Sequence, residues 1–343
     1  MPGFVTHYIF GVNAYKQIDN SDIHNIIYRN RQAYSLGLQG PDLFYYFMPA
    51  SLGFKPNIAN IIHKKKTNEF FRQLIASVSS LTRHQDYETA FAYIEGFMGH
   101  YLLDTAMHPY VYSRVGTSIS NRTLGEHFAI ETDIDREVLW KYKKKHQTDF
   151  PHSSCIRLSP RERSVIARIL SIAILATYDI NVTTRLIKAA MVSFKIESSM
   201  LIDEKTYKHN IIQFIEKRTL GYNIISPLLI NEVRHVDDPC NLSHERWANP
   251  WDKDNCSTES VFEIMESAAS KYASYMIKMA DALDDAFEVI EDNSPAILEM
   301  LCNNSYNSGL DCRKQLTRDK SYFKSRWHLN QRHFFIYIFL SVL

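Results

Sequence analysis

The sequence predicts an all-α protein, and two observations support this fold class. The 343 residues include 11 glycines and 11 prolines, too few for the many turns of a β protein. Apolar residues recur at three- and four-residue steps through several long segments, which is the period of a helix with one buried face. We expect a single multi-helix domain over residues 1–293 and a tail over residues 294–343 that holds a packed helix or an apolar segment, because no repeat or clear linker divides the chain.

The first helices can be placed from the residues at their boundaries. Ser21 is expected to cap a helix that runs to about Ser35, with Gly37 just beyond its end. A later helix is expected to start after Asp86. Pro109 is expected to end it, because proline lacks the amide hydrogen that a helix interior requires.

The second half of the chain carries the clearest helix start. Ser159 and Glu162 have the spacing of a capping box, and Pro160 stands at the first helical position. Apolar residues then recur at helical spacing along residues 261–290, which predicts a long helix with one buried face. Helical patterns also cover residues 57–81, 125–144, 165–176, 181–201 and 204–217.

Charge and cysteine content limit the functional classes. A net charge of +1 gives no long basic surface for non-specific nucleic-acid binding. Five scattered cysteines without a Cys-x-x-Cys pair predict neither a disulfide framework nor a thiolate metal site. Residues 1–7 show no secretory signal, so a cytoplasmic location is expected, with export that needs no signal as the alternative.

No run of residues approaches the ~20 apolar positions that a membrane-spanning helix requires. The nearest is the apolar run at residues 334–340, which is too short to span a bilayer. We expect this run to pack on the helical body, and transient contact with a membrane surface is the alternative.

The most informative residues are His100, Asp104 and His108, which stand four apart. Each step of four residues turns a helix by about 400°, so the three side chains share one face. The residues between them are largely apolar, which predicts a buried helix. Burying such polar groups is costly unless they are compensated, and metal coordination compensates them.

His127 and Glu131 repeat the same spacing on the next predicted helix. Imidazole nitrogen and carboxylate oxygen are the usual non-thiolate ligands of zinc. A single pair of this kind favours a simple hydrogen bond, but five residues in two such rows favour a metal site. His7, Asp42 and His63 are weak candidates when taken singly, and Asp42 follows a Gly-Pro pair that places it near a turn.

Five segments together resemble the bacterial zinc-dependent phospholipase C family, of the clostridial type, whose superfamily includes single-strand-specific nucleases. They are Thr6-His7-Tyr8, Gln39-Gly40-Pro41-Asp42, Ile62-His63, the His-x3-Asp-x3-His-Pro run at residues 100–109, and His127-x3-Glu131. They occur in the family's order over about the first 135 residues. The resemblance implies an all-α domain of the phospholipase C and single-strand nuclease type.

The resemblance also implies a set of ligands for two zinc ions. The first would be held by Asp42, His63, His100 and Asp104, and the second by His108, His127 and Glu131. A third zinc would lie between His7 and Asp104, with Asp104 bridging. In the family the third ion is also bound by an N-terminal tryptophan, and this chain begins Met1-Pro2-Gly3-Phe4, so the third zinc stays open.

The implied activity is phosphodiester hydrolysis by a metal-activated water, with Asp42 as the catalytic base. The expected substrate is a phospholipid, cleaved to diacylglycerol and a phosphorylated headgroup. Leu43 and Asn60 occupy the positions that face choline in the family, so choline specificity does not carry over and the substrate-binding residues stay unknown. Tyr45, like its neighbours Phe44 and Tyr46, could form a cation–π cage, although core packing is the favoured interpretation.

Three alternatives to a phospholipase stay open. A nuclease or a phosphomonoesterase could use the same metal cluster, although a nuclease would need a basic groove. The chain could also be a zinc-binding interaction protein that has lost catalysis. HD-type phosphohydrolases are disfavoured, because no histidine is directly followed by aspartate.

Overall fold

The computed structural model describes residues 3–45, 57–118, 120–289 and 294–314. Its all-α fold agrees with the prediction. The helices are α1 Phe4–Tyr15, α2 Ser21–Arg29, α3 Arg31–Gly37, α4 Ile58–Ile62, α5 Thr67–Ala76, α6 His84–Val115, α7 Asn121–Lys143, α8 His152–Cys155, α9 Pro160–Tyr178, α10 Thr184–Met200, α11 Tyr207–Thr219, α12 Val261–Glu288 and α13 Ser294–Leu301. Short 3-10 helices cover Gly40–Phe44, Ser77–Ser80, Gln147–Asp149 and Ser226–Leu228.

The core is built around the 32-residue helix α6, which is buried along most of its length. Helices α3 and α12 pack along it, and α1, α7 and α9 also contact it. A two-stranded antiparallel hairpin, β1 Trp247–Asn249 and β2 Asp252–Ser257, packs against α6 through β1. This hairpin lies within the polar connection that precedes α12.

The predicted helix over residues 21–35 is in fact two helices. The chain breaks at Asn30, whose backbone angles (φ −111°, ψ 30°) are not helical, while its amide and its side chain both donate to the carbonyl of Ile26. The N-terminal cap is Asn20, not Ser21: its side-chain oxygen accepts from the amides of Asp22 and Ile23. The pattern over residues 57–81 is likewise divided, because Lys66 has a left-handed backbone with φ of 54°.

Pro109 does not end its helix, and the prediction at this position is wrong. Helix α6 continues through Pro109 to Val115. Proline costs one hydrogen bond, the one to the carbonyl four residues earlier. Here that carbonyl belongs to Thr105, and the helix is held on both sides of the break by its buried face.

The same helix was predicted to start after Asp86, but α6 begins at His84 and Asp86 lies in its first turn. The capping box predicted in the second half of the chain is confirmed. Ser159 and Glu162 form a reciprocal capping box at the start of α9, with Pro160 in the first turn. The long helix near the C-terminus is α12, and it also starts with a capping box, formed by Ser260 and Glu263. All five cysteines are free thiols.

The described part of the tail, residues 294–314, packs on the helical body. Helix α13 lies against α5 and α12, and Tyr306 is fully buried. The apolar run at residues 334–340 lies outside the described residues. Among the described helices, none has the length and apolar character needed to cross a bilayer.

A buried carboxyl in the core of α6 generates a prediction about stability. The side chain of Glu95 is fully buried, and neither of its oxygens has a hydrogen-bond partner among the described residues. Burial raises the pKa of Glu95 well above its ordinary value of 4.5. Because the folded state then holds a proton that the unfolded state releases, stability falls as the pH rises from 4.5 towards the raised pKa.

We expect Glu95→Met to raise the free energy of unfolding at pH 7 by about 1–3 kcal/mol, since it replaces an unpaired buried polar group by an apolar chain of similar length. The gain should grow between pH 5 and pH 8. Urea unfolding of both proteins across this range measures it. A variant that is less stable than the parent at every pH would contradict the assignment of Glu95 as an unpaired acid.

Candidate metal centre

The candidate metal centre is arranged around the carboxylate of Asp104, the middle residue of the predicted row on α6. Its Oδ1 lies 3.2 Å from Nε2 of His7, and its Oδ2 lies 3.1 Å from Nε2 of His100. Oδ2 is also 3.6 Å from Nε2 of His63 and 3.7 Å from Nδ1 of His108. Asp104 therefore lies among four imidazole rings from three different parts of the chain.

Asp42 and His63 enter from one side of this carboxylate. Asp42 lies on the 3-10 helix Gly40–Phe44, and His63 follows the last residue of α4. The Oδ1 atom of Asp42 lies 3.2 Å from Nε2 of His63. Together with His100, these two residues form one group whose donor atoms lie within 4.8 Å of one another, which is close enough to hold one ion.

Helix α7 closes the other side. Oε1 of Glu131 lies 3.0 Å from Nε2 of His127 and 3.3 Å from Nε2 of His108. His127, Glu131 and His108 form a second group with donor atoms within 4.8 Å of one another. The four-residue spacing on α6 and on α7 thus brings both predicted rows to the same place.

His7 reaches the centre because Asp135 fixes the start of α1. The carboxylate of Asp135 accepts from the amides of Gly3, Val5 and Thr6 and from the Thr6 hydroxyl, at 2.6–3.1 Å. These amides are the ones that a helix start leaves without partners, and a negative charge there also favours the helix dipole. One turn later, the ring of His7 stacks on that of His100 with centroids 4.3 Å apart. His7, His100 and Asp104 form the third group, so His100 belongs to two.

The outer nitrogens of three histidines show that the donor set suits a metal. Nδ1 of His63 is 2.7 Å from the carbonyl of Ala59, Nδ1 of His100 is 3.2 Å from that of Leu38, and Nδ1 of His108 is 2.9 Å from that of Tyr306. A carbonyl accepts, so each Nδ1 carries the proton when the ring is neutral. The lone pair of each Nε2 then faces the carboxylates, and carbonyls that accept from the outer nitrogen orient metal-binding histidines in this way.

Two further observations fit an ion in this place. Nε2 of His100 is buried and has no hydrogen-bond partner in the described structure, although it faces Asp104. The backbone of Gly40 lies so close that a Cβ there would be 2.3 Å from the His100 ring. Gly40, with φ of 50°, lets the 3-10 helix that carries Asp42 approach His100 this closely.

Charge coupling within the centre shifts its pKa values. Burial alone would lower the pKa of His108, but the charges of Asp104 and Glu131 outweigh it and raise the pKa to about 9. Burial opposes ionisation of Asp104 too, yet the neighbouring histidines hold its pKa well below the ordinary value. The carboxylates thus attract protons onto the rings. A bound cation replaces those protons, so metal affinity should fall as the solution becomes acidic.

Aromatic side chains surround the centre. The ring of Tyr112 is 4.9 Å from that of His127 and 4.9 Å from that of Trp251, at the hairpin turn. The ring of Tyr45 is 5.7 Å from that of His63, and its hydroxyl donates to Asn60. Burial raises the pKa values of Tyr45 and Tyr112, and the charges of the centre raise them further. Each of these three rings, those of Tyr45, Tyr112 and Trp251, is partly exposed.

The family position at Leu43 is occupied by a fully buried side chain, and Phe44 is buried as well. Neither can face a headgroup in this structure. Tyr46 lies outside the described residues.

The sequence interpretation missed a loop that supports the centre from behind. Residues 303–310 follow α13, and the carbonyl of Tyr306 is the group that Nδ1 of His108 meets. In the same loop the Tyr306 amide and the Ser305 hydroxyl both donate to the carbonyl of His63. Each of these contacts ends on a main-chain carbonyl of a residue about 200 to 240 positions away, so no residue type in the sequence could predict it.

One of three comparisons with known proteins found a match. The family model described as zinc dependent phospholipase C matches residues 6–170, just under half of the chain. All eight candidate ligands lie within that segment. No curated protein and no solved structure matches the chain.

The supporting loop generates a prediction at Gly309. Its φ is +64°, and a Cβ there would lie 2.5 Å from the Thr105 carbonyl, the one that Pro109 leaves without its helical donor. Gly309→Ala should displace the loop, loosen His108 and weaken zinc binding about 10–100-fold, the usual loss when an outer contact of a ligand is removed. Zinc titration against a competing chelator measures the effect.

Gly221→Ala is the matched control, because Gly221 has a similar φ of +78° and nothing within 4 Å of the added Cβ. It should lose a little stability and keep its zinc affinity. Equal zinc affinity in both variants and the parent would show that the loop does not support the centre.

Proposed function

Residues 6–170 belong to the zinc-dependent phospholipase C family, and we propose that the chain is a zinc-dependent phosphodiesterase that cleaves a phospholipid to diacylglycerol and a phosphorylated headgroup. One observation carries the proposal: eight side chains of the zinc-ligand type, with Asp104 among them, lie together in one cluster. No cysteine belongs to the groups found among the described residues.

The donor groups support at least two ions. Asp42, His63 and His100 would hold one zinc together with Asp104, and His108, His127 and Glu131 would hold another. His7 and Asp104 offer two donors for a third. When bound, zinc supplies positive charge that stabilises the phosphoryl oxygens and lowers the pKa of water towards ~7.

Asp42 is the best placed of the three carboxylates to accept a proton. Its side chain is 16% exposed, compared with 7% for Asp104 and 12% for Glu131, so it meets solvent most readily. Burial raises the pKa of Asp42, but nearby positive charge and the hydrogen bond with His63 together hold it below the ordinary value. In the proposed reaction Asp42 takes the proton of the water that attacks phosphorus, while the leaving alkoxide departs on the opposite side.

The aromatic side chains at the rim of the site favour a phospholipid as the substrate. Tyr112 and Trp251 are in edge-to-face contact, and Tyr45 lies on the His63 side of the centre. Such aromatic surfaces bind apolar or cationic groups by burial and cation–π attraction. The near-neutral charge of the chain disfavours a nuclease, which needs a basic groove, although the same donors could serve one.

The decisive experiment combines metal analysis with a hydrolysis panel. Zinc-replete protein should hold at least two zinc per chain and should release diacylglycerol from phospholipid, with loss of activity on chelation and recovery on adding zinc. Single-stranded DNA and simple phosphomonoesters should be poorer substrates. Faster cleavage of DNA or of a monoester would replace the phospholipase by the corresponding alternative, and two bound zinc ions without any turnover would indicate a binding protein.

A comparison of two isosteric substitutions tests the roles of the carboxylates. Asp104→Asn should remove zinc and activity together, because Asp104 contacts histidines of every group. Asp42→Asn should retain more zinc and lose mainly turnover, since one ligand of one ion is changed while the base is lost. Zinc content and kcat of each variant measure the difference. Full zinc occupancy and a normal rate in Asp104→Asn would refute the central position of this carboxylate.

A further inference from the structure

Helix α11 exposes an apolar face in the part of the chain that lies outside the matched family segment. Tyr207 is 68% exposed, Ile211 61%, Phe214 63% and Ile215 42%. Leu220, just after the helix, is 46% exposed. In the described part of the chain nothing covers these side chains. Isolated exposed apolar residues are ordinary, but a row of them on one short helix indicates an interaction site.

Helical geometry places these residues together. Steps of four, three and one residues separate Tyr207, Ile211, Phe214 and Ile215, so the four lie within about a third of a turn of one another. The opposite side of the helix is buried, through His209, Ile212 and Glu216. The apolar residues therefore form one continuous exposed stripe. A separate side of the same helix packs against the protein.

Hydrogen bonds on its buried side hold helix α11 in place. Glu216 accepts from the amides of Ile224 and Ile225 and, at 2.7 Å, from the hydroxyl of Ser226. At the other end the amide of His209 donates to Asp203 at 2.8 Å. Buried hydrogen bonds of this kind fix the helix, so the stripe is presented by a stable element.

The charges that accompany the stripe are positive. Lys217 and Arg218 are exposed in the last turn, and the guanidinium of Arg218 lies 5.6 Å from the Phe214 ring centroid. Lys208 at the first turn donates to the carbonyls of Met200 and Ile202. The one acid within the helix is Glu216, which is buried and hydrogen-bonded. The nearest exposed acid in the preceding turn is Glu204.

The stripe is anchored to the helix that carries two of the candidate ligands. The turn after α11 packs on α7, where the Thr132 hydroxyl donates to the carbonyl of Pro227 at 2.8 Å. Thr132 directly follows Glu131 in the chain. The turn that follows α11 is thus hydrogen-bonded to α7, the helix that carries His127 and Glu131.

We propose that α11 docks on an anionic lipid surface, with Ile211 and Phe214 inserted among the acyl chains and Lys217 and Arg218 at the headgroups. An apolar helix face flanked by basic residues is the composition of helices that lie in a membrane interface. In a symmetric dimer the partner helix would offer no exposed acid of its own to Lys217 and Arg218, because its one acid, Glu216, is buried, whereas anionic lipid complements them. The proposal stands apart from the proposed reaction, because lipid binding needs no turnover.

The test is flotation with vesicles of phosphatidylcholine, with and without phosphatidylserine. The zinc-loaded protein should bind the mixed vesicles more tightly. The double variant Ile211→Ser/Phe214→Ser should lose at least tenfold in partitioning, and Lys217→Glu/Arg218→Glu should lose the preference for phosphatidylserine. The matched control is Tyr28→Ser/Leu242→Ser, which removes two equally exposed apolar residues, 64% and 59%, from other surfaces and should bind as the parent does.

A second measurement separates this proposal from the proposed function. Hydrolysis of a short-chain soluble phosphodiester should be equal in the parent and in the two α11 variants, whether or not that activity proves to be a phospholipase activity. Vesicle binding by the parent that survives Ile211→Ser/Phe214→Ser would overturn the proposal, as would absence of vesicle binding by the parent. A parent dimer that dissociates in this variant would assign the stripe to a second copy of the chain.

Discussion

The contacts of the Asp104 carboxylate are the constraint on which the rest of the structure depends. Its two oxygens lie within 3.1–3.7 Å of four imidazole rings in the middle of a buried helix. Leaving such a group of charges and lone pairs in a protein core without compensation would be very costly. Bound metal ions would supply the compensation inside the cluster, and main-chain carbonyls supply it outside, at the Nδ1 atoms of His63, His100 and His108.

On each side of the centre, a different local feature of the backbone allows a candidate ligand to reach Asp104. Asp135 gathers the free amides at the start of α1 and thereby directs His7 inward. Gly40 lets the turn of Asp42 lie against the His100 ring. On the far side, Pro109 removes one helical hydrogen bond beside His108, and the loop that contains Gly309 packs against the carbonyl that is set free. Proline inside α6 thus makes space for contact where it was expected to end the helix.

The sequence predicted what local periodicity controls. The pairs His100–Asp104 and His127–Glu131 could be found because residues four apart on a helix share a face. The capping box at Ser159 could be found because it joins residues three apart at a helix start. The sequence did not predict the passage through Pro109, which depends on the burial of most of α6, or the break at Asn30, which depends on the backbone angles of one residue. It also missed the Tyr306 carbonyl. Every residue has a carbonyl, and only the fold brings this one to His108.

The segment that matches the family model contains all the candidate ligands, but it depends on contacts with the rest of the chain. All eight candidate ligands lie within residues 6–170, yet α6 packs against α12, and the carbonyl that orients His108 comes from residue 306. A fragment that ends near residue 170 would keep every donor while it lost these contacts, and the apolar face of α6 would be open to water. Coordination depends on lone pairs that already point inward before an ion arrives. We therefore expect the later half of the chain to contribute to metal affinity without providing one of the eight candidate ligands, and the same half carries the exposed stripe of α11.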